Sequence, residues 1–294
     1  MNWQRDIEVL TPLFNRGAYQ DTPEIRVPSI RGMVRWWFRQ LEYQFLSTDE
    51  QQRRQQLAAI RETEKQLFGG VHGGAVASRL IFRVKILSAT VAQPPGIYTL
   101  PHKPPARDPQ NLNTERDPRA PRAAFKQGAS FRLEVFSRFG DLPSELETKA
   151  KNALEVWLLL GSLGLRANRG GGSVWPADGS APKDSDELRE MLRKAGLTEW
   201  SVALVGLDKK KSTEDLRATA TDTIKGNTRR DIFGSVSPRL SSPTKFKVIR
   251  LDDGYCLLAC APSLQALRDA ERLLTTKPNA NLWQALGNWN YILP

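Results

Sequence analysis

The sequence predicts an α+β protein of two tandem units, each an antiparallel sheet with helices on one face. Three observations predict it. At 294 residues the chain exceeds the usual size of one compact unit. Strand-type and helix-type periodicities alternate in the order strand, helix, strand, strand, helix, strand. That order, the ferredoxin-like or RRM-type arrangement, can be traced twice, which divides the chain into residues 1–176 and 177–294.

Asp6 to Phe14 alternates as a strand and runs into a loop at Thr11-Pro12 that carries Gly17. From Ile30, the apolar residues Ile30, Met33, Val34, Trp37, Phe38, Leu41 and Phe45 fall three and four apart, which predicts a helix with Ser29 as its cap. Glu50 to Leu67 is a second helical stretch, rich in Gln, Arg and Glu, that stops at Gly69-Gly70. Val76 to Ala89 alternates again. Gln93 to Gly128 holds eight prolines among basic and polar residues, the composition of an exposed insertion rather than of regular structure, with a mobile hairpin as the alternative. Ala129 to Phe139 is then a strand, Pro143 to Ser162 a helix burying Ala153, Leu154, Trp157, Leu158 and Leu160, and Ser173 to Trp175 a short strand.

In the second unit Glu199 to Gly206 reads as a strand and Thr213 to Arg229 as a partial helix. Lys245 to Leu251 and Tyr255 to Ala261 flank an Asp252-Asp253-Gly254 turn, Ser263 to Leu274 is helical, and Trp289 to Leu293 closes the sheet. A short echo supports duplication: Leu67-Phe-Gly-Gly70 leads into Arg79 to Val84 much as Ile232-Phe-Gly-Ser235 leads into Lys245 to Arg250.

Apolar residues at 40% and charged residues at 26% allow a sizeable core and disfavour disorder throughout. The formal charge of +11 points to a polyanionic partner. Residues 1–140 carry 21 basic and 13 acidic side chains, so most of the excess sits in the first half. The charged opening Met1 to Leu10 is unlike a signal peptide, and no apolar run reaches the roughly 18 residues that span a bilayer, so a cytoplasmic protein is expected. Cys256 and Cys260 lie in an apolar run with no histidine nearby to complete a metal site, and are expected as core thiols. No cofactor or metal is expected.

Two constellations carry function. On the Ile30 helix, Arg31, Arg35 and Arg39 recur every four residues and form a ridge, each guanidinium able to fork two hydrogen bonds to a phosphate, with Trp36 beside them to stack on a base. The plainer alternative packs Trp36 inward and pairs the arginines with Glu24, Glu42 or a neighbouring subunit. The second constellation is Leu163 to Ser173, where Gly164, Gly170, Gly171 and Gly172 let backbone approach a ligand closely and Arg166 and Arg169 offer cations. It lacks the Lys-Ser/Thr ending of a nucleotide-binding phosphate loop; a flexible connector is the plain alternative. Lys209-Lys210-Lys211 and Arg229-Arg230 are further basic candidates, ordinarily just hydrated.

Thr11-Pro-Leu-Phe14, Gly17-Ala18, Glu24-Ile-Arg26, Pro28-Ser-Ile-Arg-Gly32, Arg35-Trp-Trp37, Arg39 and Leu67-Phe-Gly-Gly70 together resemble the amino-terminal signature of a RAMP protein, the first RAMP subunit of type III-B (Cmr) CRISPR effectors. Gly164 to Ser173 resembles the glycine-rich loop of the same family. Gly171 stands where that loop often has an aromatic residue, and Asn168 where it is frequently basic. The resemblance implies ferredoxin-like domains and a non-catalytic subunit that binds single-stranded RNA. Its partners would be guide and target RNA and the other Cmr subunits, its place near the 3′ end of the guide, and its role target capture in antiviral defence. Arg26, Arg31, Arg35, Trp36, Arg39, Arg166, Arg169, Gly170, Gly171 and Gly172 are then the candidate RNA contacts. Some RAMP proteins cleave guide precursors without metal, so His72 and His102 keep an endoribonuclease as one alternative; an architectural subunit meeting acidic proteins is another. The RNA reading requires the arginine-bearing helix and the glycine loop to meet on one surface, and the guanidinium groups not to be locked into internal carboxylate pairs.

Overall fold

The computed structural model describes every residue except 20–21, 72, 94–95, 102–119, 208–210, 223–228, 236–237, 239 and 277–280. Trp3, Ile7 and Val9 alternate inward along β1 (Asn2–Val9), which begins before the alternation read from Asp6 and ends before Phe14. It becomes the inner strand of a four-stranded antiparallel sheet with β2 (Leu80–Ser88), β5 (Ser130–Ser137) and β6 (Val174–Pro176), in the order β2-β5-β1-β6. In the register Trp3 opposes Val135 and Ile7 opposes Phe131, so one face is apolar except at Arg5, which opposes Leu133 and pairs with Glu155 at 2.6 Å.

Helices α1 (Val27–Tyr43), α2 (Glu50–Phe68) and α3 (Ser144–Leu160) belong to this first sheet. α1 starts three residues earlier than its apolar spacing suggests, because Pro28 fits the first turn, where its missing N–H removes nothing. Ser29 is therefore inside the helix, not its cap, and its hydroxyl turns to Asn15 Oδ1 at 3.4 Å. Phe45 lies beyond the helix end and is 65% exposed. α2 is capped by Asp49, which accepts from the Gln52 N–H at 2.8 Å, and stops at Gly69 with φ 78°. Trp37 of α1 and Trp157 of α3 are fully buried together above the sheet. Within the proline-rich stretch, β3 (Ile97–Tyr98) pairs with β4 (Pro121–Arg122) as a two-stranded ribbon.

The second sheet has the order β10-β7-β9-β8, from β7 (Ser201–Val205), β8 (Lys245–Leu251), β9 (Gly254–Ala261) and β10 (Trp289–Leu293). Its helices are α5 (Thr213–Thr221), α6 (Arg230–Phe233), α7 (Leu264–Thr275) and α8 (Asn281–Gln284). Here helices cover both faces, not one. Ala203, Val205, Phe246, Val248, Leu257 and Ala259 pack toward α5 and α7, whereas Val202, Leu204, Ile249, Cys256, Leu258 and Cys260 join the same core as α1 and α3. The unbroken apolar run of β9 is the sequence mark of a strand buried on both sides. Burial raises both thiols, Cys256 and Cys260, to about 12. Between the sheets, α4 (Ser185–Lys194) is capped by Asp184 through two N–H groups and buries Leu188 and Leu192.

A segment of the first half completes the second sheet. The Gly170 N–H donates to the Phe246 carbonyl at 2.9 Å, the Phe246 N–H donates to the Asn168 carbonyl at 3.2 Å, and Arg169 pairs in parallel with Phe246. Residues 168–170 thus run along the outer edge of β8.

Candidate nucleic-acid interface

With about 100° between successive residues, Arg31, Arg35 and Arg39 advance only some 40° per step, and the buried stripe of Ile30, Val34, Trp37 and Leu41 lies opposite. Arg31 has no hydrogen-bond or ion-pair partner among the described residues. Arg35 binds Glu64 of α2 through Nε at 2.8 Å and Nη2 at 2.7 Å, and Arg39 Nη1 lies 3.8 Å from the same oxygen. The acid that answers the row is therefore Glu64, while Glu42 pairs with Lys149 at 2.8 Å. One buried carboxylate faces two guanidiniums, each still about a third exposed, so cationic surface remains. Arg26, the residue before α1, donates to the Arg16 carbonyl at 3.4 Å and lies 3.9 Å from Glu24.

Gly32 interrupts this helix in its second turn. A methyl group there would meet nothing within 4 Å, so packing does not call for a glycine, yet glycine inside a helix costs roughly 1 kcal/mol against alanine. It leaves bare backbone on the exposed strip between the arginine row and Trp36.

Trp36 is half-buried rather than free for stacking. Trp37 and Trp200 meet it edge-on, at 4.8 and 5.8 Å between ring centroids, and Lys245 Nζ sits 4.2 Å above its ring. The same Nζ donates to Asn168 Oδ1 at 3.0 Å. Burial, with Arg169 adding and Cys260 opposing, lowers Lys245 to about 8. Lys245 thus ties α1 to the glycine-rich loop and places a cation beside Asn168, so the two elements meet on one side of the molecule. Next to it Lys247 is fully buried, donates to the Leu158 carbonyl in the last turn of α3, and lies 5.3 Å over Trp175.

The loop differs from its expected role. Gly170, Gly171 and Gly172 are buried, and a side chain would strike Ala220 Cβ at 2.9 Å, the Leu165 carbonyl at 2.9 Å and the Leu163 carbonyl at 1.9 Å respectively. These glycines let the loop fold on itself instead of admitting a ligand. Arg169, 6% exposed, also turns inward: Nη1 donates to the Asn168 and Thr244 carbonyls at 3.0 and 3.1 Å, and Nη2 to the Phe233 carbonyl at 2.8 Å and Ser242 Oγ at 3.0 Å. Its guanidinium also lies over Phe233 and Phe246. Burial and then Arg166 bring it down to about 10, still charged at neutral pH. Arg166 alone of the loop cations keeps a buried Nε without a partner, and it holds a left-handed φ of 64°.

The remaining candidates divide. Arg229 pairs with Asp231 at 2.6 Å. Lys209, Lys210, His72 and His102 lie outside the described residues, and no group of metal-ligating side chains is found among the described ones. No described helix is long and apolar enough to cross a membrane. The signals that sequence reading missed are Gly32, a glycine inside a helical pattern, and Lys245, a basic residue in a strand whose neighbour is wholly apolar.

A family model described as the RAMP superfamily matches residues 6–175. The chain is 33% identical over 81 residues to the CRISPR system Cmr subunit Cmr1-2 of Pyrococcus furiosus, covering 28% of this chain and 38% of that protein. It is 29% identical over 200 residues to Cmr1-1 of the same organism, covering 65% and 47%. The matches span less than half the length of these curated relatives. Among solved structures, the crystal structure of Cmr1 from Pyrococcus furiosus in its apo form aligns with a TM-score of 0.58 at 21% identity, over 89% of this chain and 87% of that one. A chain of the cryo-EM structure of the type III-B Cmr-β complex bound to cognate target RNA aligns at 0.50 and 12% identity, over 88% and 93%. At these identities the structural likeness is one of fold.

Proposed function

Because this chain belongs to the RAMP superfamily, we propose that it is a non-catalytic, RNA-binding subunit of a type III-B (Cmr) CRISPR ribonucleoprotein in the cytoplasm, contacting guide and target RNA and neighbouring Cmr subunits. The observation that carries this reading is the exposed strip of α1, where bare backbone at Gly32 lies between Arg31, Arg35 and Arg39 on one side and half-buried Trp36, with Lys245 buried over its ring, on the other. A phosphate chain running along the helix meets a guanidinium at about 6 Å intervals, four residues of helical rise, with Arg35 and Arg39 shared between it and Glu64. The curated relatives that this chain resembles carry Cmr subunit names, the RAMP family match includes the residues of this strip, and two buried free thiols suit a reducing compartment.

The finer architecture in this reading is two tandem ferredoxin-like domains meeting near residue 176. The two sheet orders support it, since each places its first and third strands centrally and its second and fourth at the edges. Base stacking on an open sheet face, the RRM habit, is not part of the proposal. The second sheet has no open face, and the outward face of the first carries the paired charges Asp6–Arg132 and Arg83–Glu134.

Fluorescence anisotropy with a short single-stranded RNA tests the strip. Each of Arg31→Ala, Arg35→Ala and Arg39→Ala that removes a phosphate contact weakens binding and lowers the salt slope by about 1. Titrations unchanged for all three would remove the strip as an RNA site.

A further inference from the structure

Three arginines from stretches far apart in sequence converge beside the glycine loop, and among the described residues no acid answers Arg122 or Arg166. The segment Leu13 to Arg16 is held between two others. Leu13 and Phe125 exchange backbone hydrogen bonds at 3.0 and 3.1 Å, and the Phe14 carbonyl accepts from the Leu165 N–H at 3.0 Å. Arg16 continues the first segment, Arg122 lies on β4 three residues before Phe125, and Arg166 follows Leu165. The backbone around them is closely fitted: an added Cβ at Gly96 would lie 2.3 Å from the Arg122 carbonyl, and one at Gly164 2.5 Å from the Phe14 carbonyl.

The side chains sit in a costly arrangement. Arg122 Nε and Arg166 Nε are both buried without a hydrogen-bond partner, and neither guanidinium has a carboxylate within ion-pair range among the described residues. Burial and then the Arg16 guanidinium hold Arg122 below its ordinary range; burial and then Arg122 do the same to Arg166. Arg166 also carries the left-handed backbone that favours glycine or asparagine. Desolvation, like-charge repulsion and empty donors therefore accumulate in one place, and folding alone returns nothing for them. A tetrahedral oxyanion offsets all of these, because guanidinium forks match its oxygens and its charge cancels the repulsion.

We propose that Arg16, Arg122 and Arg166 form a pocket for one phosphate group. The pocket does not depend on the strip of α1, since it draws on the first loop, the proline-rich ribbon and the glycine loop, and it goes beyond the RNA reading given above. The shared chemistry is a phosphate oxyanion, supplied either as a phosphodiester within a bound RNA or as a terminal or free phosphate.

Thermal melting of the full chain in inorganic phosphate, against chloride at matched ionic strength, tests the pocket directly. The expected result is a saturable rise in melting temperature for the natural chain, lost in Arg122→Gln and in Arg166→Asn, and restored by Arg166→Lys. Asparagine tolerates the left-handed φ and relieves the repulsion, so Arg166→Asn melts no lower than the natural chain when phosphate is absent; a merely structural arginine would give a lower value. A short RNA with and without a terminal phosphate separates the sources. Equal binding of both RNAs, weakened about tenfold by Arg122→Gln, the scale of lost charged hydrogen bonds, assigns a backbone phosphate. Preference for the phosphorylated RNA, lost in the same variant, assigns a terminal one. The proposal is overturned if the natural chain shows no saturable response to phosphate, or if both variants retain it. Arg31→Ala keeps the phosphate response while losing RNA affinity, so failure of the strip and failure of the pocket are told apart.

Discussion

Arg31 and Arg169 each stand directly before a glycine, Gly32 and Gly170, and end in opposite environments. Arg31 lies on the outer helix face without a partner among the described residues, whereas Arg169 spends its donors on the carbonyls of Asn168, Phe233 and Thr244 and on Ser242. The difference lies in what surrounds each stretch. A helix with one apolar stripe leaves its other side in water, while a loop laid against β8 is roofed by the second half of the chain. Arginine near glycine is therefore an RNA signal only where no tertiary partner claims the guanidinium first.

The largest expected effect strikes the inward arginine. Arg169→Ala leaves buried carbonyls unsatisfied and lowers unfolding stability by about 4 kcal/mol in urea titrations, whereas Arg31→Ala changes it by less than about 0.5 kcal/mol. Equal losses would erase the contrast. The next effect concerns Lys245, a cation that joins the two regions. Its value near 8 in the folded chain, against 10.5 ordinarily, means that the unfolded chain binds more protons between those values, so its contribution to stability rises with pH across that window. The full span corresponds to about 3 kcal/mol. Cys256 and Cys260, raised to about 12 from 9.0, act in the opposite sense as pH rises through 9.0. The informative quantity is thus the natural chain minus Lys245→Met, measured by denaturant unfolding from pH 7 to pH 10. Parallel curves would show that Lys245 keeps an ordinary affinity for its proton. The smallest effect is at Gly32, where alanine adds roughly 1 kcal/mol of helix stability while weakening RNA binding. Unchanged affinity in that variant would mean that nothing approaches the bare backbone.

Much of the architecture was legible because burial writes itself into periodicity. The stripe from Ile30 to Leu41, the buried face of α3 and the run of β9 all follow from one-face or two-face burial. The misses have physical causes. The start of α1 moved because Pro28 accepts the first turn better than the spacing from Ile30 suggested. α4 is short and mostly polar, with only Leu188 and Leu192 to mark its inner side. In the candidate site, the arginine row and Trp36 were visible from spacing alone. Their partners were not: Glu64 lies a helix away, and the acceptors for Arg169 other than its neighbour Asn168 lie more than sixty residues on. Lys245 and Lys247 resemble the solvent side of an alternating strand until the whole strand is seen to lie between two cores. Nothing in the local sequence of Arg122 connects it with Arg16 and Arg166; only the backbone bonds of Leu13 with Phe125 and of Phe14 with Leu165 do.

The seam formed by residues 168–170 along β8 has a consequence for how the molecule behaves in a crowded cell. β8 ends the second sheet, and its outer amides and carbonyls would otherwise stand ready to recruit a strand from another molecule. Covering that margin with a stretch of the same polypeptide removes the template for sticky self-association. One edge of the first sheet, β2, is instead guarded by the charges of Arg83 and Lys85. A strand that invades β8 must first peel away the seam and pull Arg169 out of its cage.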